Sequence, residues 1–384
     1  MGSDDVVLVG YSTRALAESA VRAGYRCRTV DAFGDLDQKA RVENVALGRD
    51  LGRHYGAGAA AVVARRFPGG AVAYVTNLEN HPAAVRRLAA GRRLLGNDPS
   101  TLVRVRDPWL LAEVVRGVGA RVPWTLSRRE AIEAPGERAW LRKPLRGGGG
   151  TGVAPWTPGE PLGFGEVAQE RIEGTLASVA FAADGRRAVV LGLALQLAGD
   201  SAFGATGFDY TGSLLAPIAA LGGAAVVDRA RDLADAVTRA FGLRGVNGID
   251  FILRDGELHV LEVNPRYTAS MELIERAHGV SIFDVHVRAC GGELPVLDPA
   301  PSLVETFGKA ILYARRDVTV GDTRGWLERD DVRDVPFPGE SIAEGVPVCT
   351  VFARGPDPAA CHARLVAKAL ALEEEIRAGS GRDP

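Results

Sequence analysis

Asn247-Gly248-Ile249-Asp250-Phe251 and, after a short gap, Leu261-Glu262-Val263-Asn264-Pro265-Arg266 read as two strands, Gly248–Arg254 and Glu257–Val263, hinged at Asp255-Gly256. An Asp-Gly pair between apolar runs favours a two-residue hairpin, because both turn residues must take positive φ. Glu262 and Asn264 lie two apart and so point to one face of their strand, and Asp250 on the paired strand reaches the same face. Three hard oxygen donors at one spot suit Mg²⁺ or Mn²⁺ shared with phosphate oxygens. Arg266 continues the row and is suited to neutralise charge on a transferring phosphoryl group. The polar outer face of an ordinary hairpin would show similar letters. The apolar Ile249, Leu261 and Val263 between the polar residues argue against it, since acids on a mostly buried hairpin need a partner.

Upstream, Leu141-Arg142-Lys143-Pro144 precedes Gly147-Gly148-Gly149-Gly150-Thr151-Gly152. Glycines let backbone N–H groups close over anionic oxygens, and a lysine on the preceding strand adds a fixed positive charge. A flexible linker has the same composition, and the lysine precedes the glycines rather than following them as in a Walker A loop. Between these segments, Ala168-Gln169-Glu170-Arg171-Ile172-Glu173-Gly174 links two strands, where backbone groups can read the edge of a base. A strand bend with solvated charges reads equally well from these letters alone.

The flanks supply the frame. Val6–Val9, a helix over Arg14–Ala23 with Ser12 as its cap, Cys27–Val30, a helix over Ala57–Arg66, Ala71–Val75, a helix over Ala83–Ala90 and Leu94–Asn97 alternate strand and helix. That alternation predicts a parallel sheet covered by helices. Gly10-Tyr11-Ser12 is not a dinucleotide fingerprint, and Asp31 reads as an acid capping a turn. Helices are expected at Asp107–Gly117 and 226–241, strands at Val189–Leu197, Ala310–Ala314 and Val346–Ala353, and a closing helix at Ala359–Ile376. The stretch from Phe203 to Ser213 reads as a polar-aromatic loop in which Tyr210 and Ser213 offer hydrogen bonds to a substrate.

The 384 residues are 46% hydrophobic and 24% charged, ordinary for a globular chain of two or three domains. Lys and Arg number 46 against 48 Asp and Glu, so no basic excess points to nucleic acid. No apolar run spans a bilayer and the N-terminus has no secretory pattern, so no membrane partner is expected. Cys27, Cys290, Cys349 and Cys361 are scattered, which fits a reduced cytoplasm.

In this order and at these separations, the three segments resemble the ATP-grasp superfamily over about residues 98–300. The resemblance implies a mixed α/β and α+β chain. A Rossmann-like pre-ATP-grasp domain would span 1–97, an ATP-grasp domain 98–300 with its lid at about 124–213, and a small biotin-carboxylase-like domain 301–384. It further implies ATP and Mg²⁺ (or Mn²⁺) as cofactors. Lys143 would contact phosphate beneath Gly148, Gly149 and Gly150. Gln169, Glu170 and Ile172 would frame adenine, and Glu173 would reach ribose. Asp250, Glu262 and Asn264 become the metal ligands, with Arg266 and Lys143 as the catalytic cations.

The implied reaction is an ATP-dependent carboxylate–amine ligation through an acyl phosphate, acting on small-molecule acid and amine substrates in a cytoplasmic homodimer. The alternatives are a biotin-carboxylase-like enzyme working through carboxyphosphate, and an ATP-binding regulatory protein without turnover. The sequence departs from the family pattern in three places. Pro108 stands where an early phosphate-binding cation is expected, with Arg104 or Arg106 as substitutes. Thr175–Ala180 replaces a His-x-Glu-x-Gln run. Ser270 replaces the glutamate that serves bicarbonate, with Glu272 close but off register.

Overall fold

Val6–Val9 is buried on both faces, as a strand inside a covered parallel sheet must be. In the computed structural model, which describes residues 5–133, 135, 137–296 and 303–380, this run is β1 (Asp5–Val9). β2 (Arg26–Asp31), β3 (Glu43–Ala46), β4 (Ala71–Tyr74) and β5 (Arg93–Leu95) complete a five-stranded parallel sheet in the order β3-β2-β1-β4-β5. The order reverses between β1 and β4, where the chain crosses to the other side of β1. The first helix, Arg14–Arg22, is preceded by Thr13 rather than capped by Ser12. Thr13 makes no side-chain cap either: its hydroxyl donates to Asp31 Oδ2 at 2.5 Å and accepts from Gln38 Nε2 at 2.7 Å. Asp31 Oδ1 accepts from Gly34 N at 3.0 Å, so this acid closes a turn as expected.

A second, small sheet holds β6 (Thr125–Leu126), β7 (Trp140–Pro144), β8 (Ala154–Trp156) and β9 (Glu166–Glu170) in the order β6-β9-β7-β8. It packs over its own cluster of Trp140, Trp156, Leu162 and Ala168. The largest sheet contains β10 (Thr175–Asp184), β11 (Ala188–Ala198), β12 (Tyr210–Leu215), β13 (Arg244–Arg254) and β14 (Glu257–Asn264). Helix Ala224–Phe241 covers it, with Val227, Leu233 and Val237 against Phe181, Ile249 and Phe251. Asp255 and Gly256 at the β13–β14 turn both take positive φ, 53° and 75°, as the two-residue hairpin requires.

The sheet continues through β15 (Thr306–Tyr313). Past the short β16 (Val318–Thr319) it also takes in β17 (Val332–Arg333) and, after β18 (Ser341–Ile342), β19 (Pro347–Gly355). Its full order is β14-β13-β10-β11-β12-β15-β19-β17, while β16 and β18 pair separately. The C-terminal strands therefore extend the sheet that carries the hairpin. Gly212 on β12 permits this, since a Cβ there would stand 2.1 Å from the Lys309 carbonyl oxygen. The closing helix Pro358–Ser380 buries Leu365, Ala369, Leu372 and Ile376 on this end of the sheet. The expected loop from Phe203 to Ser213 is shorter than the sequence suggests, because Tyr210 already opens β12.

Candidate active site

The β13–β14 register sets Asp250 opposite Glu262 and Gly248 opposite Asn264. The pairing shifts between Asp250 and Phe251, a bulge that lets Phe251 and Val260 return to the core while Asp250 and Glu262 stay on the polar face. Asn264 Nδ2 donates to Asp250 Oδ2 at 2.8 Å, and Gln196 Nε2 from β11 donates to Asp250 Oδ1 at 2.8 Å. Arg266 Nη2 donates to Asn264 Oδ1 at 3.1 Å, and its Nε donates to the buried Glu79 at 2.8 Å. The hairpin thus brings Asp250, Glu262, Asn264 and Arg266 together.

Three cations surround Glu262. Arg106 Nη1 donates to Glu262 Oε2 at 3.2 Å, and Lys143 Nζ stands 3.4 Å from the same oxygen. Burial by itself would raise the Glu262 pKa, but Lys143, Arg106 and Arg266 outweigh it and hold the carboxyl at about 2. Asp250 is less well served. Its burial, with Glu262 opposite, pushes it up to about 6 in spite of Gln196, Asn264 and Arg266. The two carboxylates are therefore unequal, one held down by three cations and one raised by burial.

Of the two candidate arginines, Arg106 is the one that reaches the hairpin. Its Nε donates to Asn80 Oδ1 at 3.2 Å and its Nη2 to the Gly147 carbonyl at 3.3 Å. Arg104 instead donates to Ala240 O and lies over Phe241, away from the hairpin. Pro108 opens the helix Pro108–Gly117, with Asp107 accepting from Trp109 N and Leu110 N.

The glycine segment forms a loop over this ground. Asn80 Nδ2 donates to the Gly147 carbonyl at 3.0 Å, and Tyr210 N donates to the Gly149 carbonyl at 2.9 Å. At Gly150, φ is +79° and a Cβ would stand 1.8 Å from the Phe208 carbonyl oxygen. Gly150→Ala therefore combines strain with a backbone clash. It is expected to raise the Michaelis constant for nucleotide at least tenfold while far-UV circular dichroism stays unchanged. A wild-type constant would show that the loop does not meet nucleotide.

A cleft beside Lys143 is lined by Arg106, Pro108, Thr125, Gln169 and Glu262 among others. Gln169 Nε2 donates to Thr125 Oγ1 at 3.1 Å. Glu170 is turned away, pairing with Arg138 and accepting from Trp124 N. Ile172 and the exposed Glu173, which pairs with Arg171 at 3.1 Å, lie outside this lining. Tyr210 and Ser213 share a hydroxyl–hydroxyl hydrogen bond of 2.7 Å.

Glu272 is occupied elsewhere. It pairs with the buried Arg14 and, at 2.6 Å, with Lys309. Those two cations overcome its burial and hold its carboxyl far below the usual range. Ser270 is buried beside it.

Glu79, Asn80 and Gln196 were not legible as site residues. Their one signal is position, since Glu79 and Asn80 follow an apolar strand in a parallel α/β unit, and Gln196 is a lone amide in an apolar strand. Among the described residues no three His, Cys, Asp or Glu side chains gather as a metal site. Two carboxylates and one amide oxygen are a donor set that Mg²⁺ completes with phosphate and water oxygens. No helix among the described residues is long and apolar enough to cross a membrane.

Residues 105–270 match the ATP-grasp domain family. The chain is 34% identical over 94 residues to the formate-dependent phosphoribosylglycinamide formyltransferase of Burkholderia pseudomallei, covering 24% of this chain and 22% of that protein. Matches to the first curated relatives span only 28%, 5% and 22% of their lengths. Among solved structures, the biotin carboxylase domain of Hydrogenobacter thermophilus 2-oxoglutarate carboxylase is similar at TM-score 0.71 and 14% identity, covering 93% of this chain and 87% of that one. The L-amino acid ligase of Bacillus licheniformis is similar at TM-score 0.67 and 15% identity, covering 98% of each chain.

Proposed function

The chain carries an ATP-grasp domain, and from that premise we propose that it is an ATP-dependent carboxylate–amine ligase. A substrate carboxylate oxygen attacks the γ-phosphorus of ATP, the bond to the bridging oxygen breaks, and ADP leaves. The amine nitrogen then attacks the acyl carbon, the bond to the phosphate oxygen breaks, and the amine gives up a proton as phosphate departs. Lys143, Arg106 and the backbone of the glycine loop hold the phosphates and exclude water from the acyl phosphate. Gln169, which lines the cleft, begins the adenosine side, and Glu170, Ile172 and Glu173 would join it through the backbone of their segment, their side chains lying outside the lining. Asp250, Glu262 and Asn264 would hold Mg²⁺, which supplies charge neutralisation between the phosphates. Arg266, fixed by Glu79 and Asn264, presents its charge to the transferring group.

The observation that carries this reading is the convergence of Lys143, Arg106 and Arg266 on Glu262 and Asp250 beside one cleft. The biotin-carboxylase alternative has a similar fold in its favour, and that Hydrogenobacter neighbour is in complex with MgADP and bicarbonate. Against it stands Glu272, locked between Arg14 and Lys309 and so a poor proton acceptor. The division at 97/98 and 300/301 belongs to the same proposal, although one sheet crosses the second boundary. So do a homodimer and a cytoplasmic location, the latter supported by four cysteines that form no disulfide.

ADP release from MgATP is the test, run with protein alone, with bicarbonate, and with pooled carboxylates plus amino acids. Release that needs both an acid and an amine is expected. Release with bicarbonate alone would favour the carboxylase, and bound ATP without release under any condition would favour the regulatory protein.

A further inference from the structure

The β13–β14 ladder ends at the pair Gly248 and Asn264, and Pro265 has no N–H with which to continue it. Beyond that pair the sheet no longer guides the chain, yet the next residue is Arg266. The peptide plane between Pro265 and Arg266 is held on both sides instead. Arg266 N donates to the Asn264 carbonyl at 2.8 Å, closing a three-residue turn. The Pro265 carbonyl accepts from Asn97 Nδ2 at 3.1 Å and from Tyr74 Oη at 3.4 Å.

Neither donor belongs to the hairpin. Tyr74 closes β4 and Asn97 stands just past β5, and both are buried. Every polar atom of the Asn97 side chain is used. Its Nδ2 also donates to Asn247 Oδ1 at 2.8 Å, and its Oδ1 accepts from Arg244 N at 2.9 Å. The amide can face only one way, since turned over its oxygen would meet two acceptors. Asn247 is fixed likewise, because its Nδ2 donates to the Gly245 carbonyl at 3.0 Å. Tyr74 Oη shares its one proton between the Pro265 carbonyl and, at 2.8 Å, the Asn97 carbonyl. One amide therefore joins both ends of the hairpin: Asn247, on the strand that carries Asp250, and Pro265, between Asn264 and Arg266. Rotation of the Pro265–Arg266 plane would be magnified along the arginine side chain, away from Asn264 Oδ1 and Glu79.

We propose that Asn97 is a positioning residue for phosphoryl transfer, with Tyr74 as its support: through the Pro265 carbonyl it aims Arg266 at the transferring group. The inference rests on the ligase reading and deepens its first step. A tie that served only to join the first sheet to the hairpin would affect nucleotide binding and stability without singling out that group.

Aluminium fluoride bound with MgADP mimics the transferring phosphoryl group, so it reads Arg266 without a substrate. Isothermal titration measures MgADP affinity with and without it in wild type, Asn97→Ala, Tyr74→Phe, Arg266→Ala and Asn97→Ala/Arg266→Ala. In Asn97→Ala, MgADP alone should bind as in wild type, while the gain from aluminium fluoride falls about ten- to a hundredfold. Tyr74→Phe keeps the ring and loses only the shared proton. It should show a smaller loss of the same kind, and it decides the matter if Asn97→Ala does not fold. The double variant should lose no more than Arg266→Ala alone. A further loss in the double variant, a parallel fall in affinity for MgADP alone, or an unchanged gain in both single variants would each overturn the positioning role and leave the ligase standing. Failure of wild type to bind MgADP would overturn the ligase reading itself.

Discussion

Glu262→Gln is expected to abolish ADP release, by roughly 10³-fold or more, because one neutral amide replaces the charge that three cations share. The substitution also has a structural price. Lys143 and Arg106, with side chains 23% and 11% exposed, would face each other without their common anion. Breaking a fully buried pair costs about 3–5 kcal/mol, and partial exposure brings this case down to roughly 1–2 kcal/mol. The two effects separate in the double variant Glu262→Gln/Lys143→Met, which should regain most of the lost melting temperature and none of the turnover. Lys143→Ala alone should equally stop turnover in a folded protein. Wild-type ADP release by Glu262→Gln would sink the metal assignment.

Asp250→Asn is expected to do the opposite to stability while also stopping turnover. The Asp250 carboxyl sits at about 6 in the folded protein, raised first by burial and then by Glu262, against about 3.9 in an unfolded chain. Between these values the native state binds more protons than the unfolded state, so stability falls as pH rises from about 4 to about 6. Above that window the full penalty is present. A neutral amide at this position removes it, with the Gln196 amide turning over to accept the new N–H. The variant should melt a few degrees higher than wild type at pH 7.5 and converge with it near pH 4. Glu262 runs the other way: its lowered value contributes stability above about 4.3 that is lost as pH falls toward 2. MgADP should raise the melting temperature of wild type and do so much less for Asp250→Asn. Equal melting at pH 7.5 would show that Asp250 is not under strain.

These two carboxylates were legible because a hairpin is a local object. The Asp255-Gly256 turn fixes the register, and the register fixes which side chains share a face. The glycine loop, with Lys143 on the strand before it, was legible for the same reason. Arg104 and Arg106 read alike in the sequence because a two-residue difference on a helix end depends on how that helix docks, which is tertiary information. Glu79 and Asn80 were invisible for a stronger reason: they lie 187 residues from Arg266 and 67 from Gly147, respectively. Their role follows from which strands of the first sheet are neighbours. The edge strand β3 and the helix Pro99–Val105 carry little signal because both are short, and the helix is announced by its Asp98 cap, which accepts from Ser100 N and Thr101 N, rather than by hydrophobic period. How Glu170 and Glu173 are oriented was not legible either, since neighbouring letters on a bent strand end face different ways.

The Gly147 carbonyl, held at once by Asn80 and Arg106, also bears on timing. If nucleotide enters and leaves beneath the glycine loop, both hydrogen bonds must break and re-form in every catalytic cycle. Hydrogen bonds of this kind, one of them from a charged donor, hold a loop shut by roughly 1–3 kcal/mol. That is enough to slow its opening by about five- to 160-fold. The residence time of ADP would then be set by two hydrogen bonds within the protein, and the rate of the whole cycle by the opening of a latch.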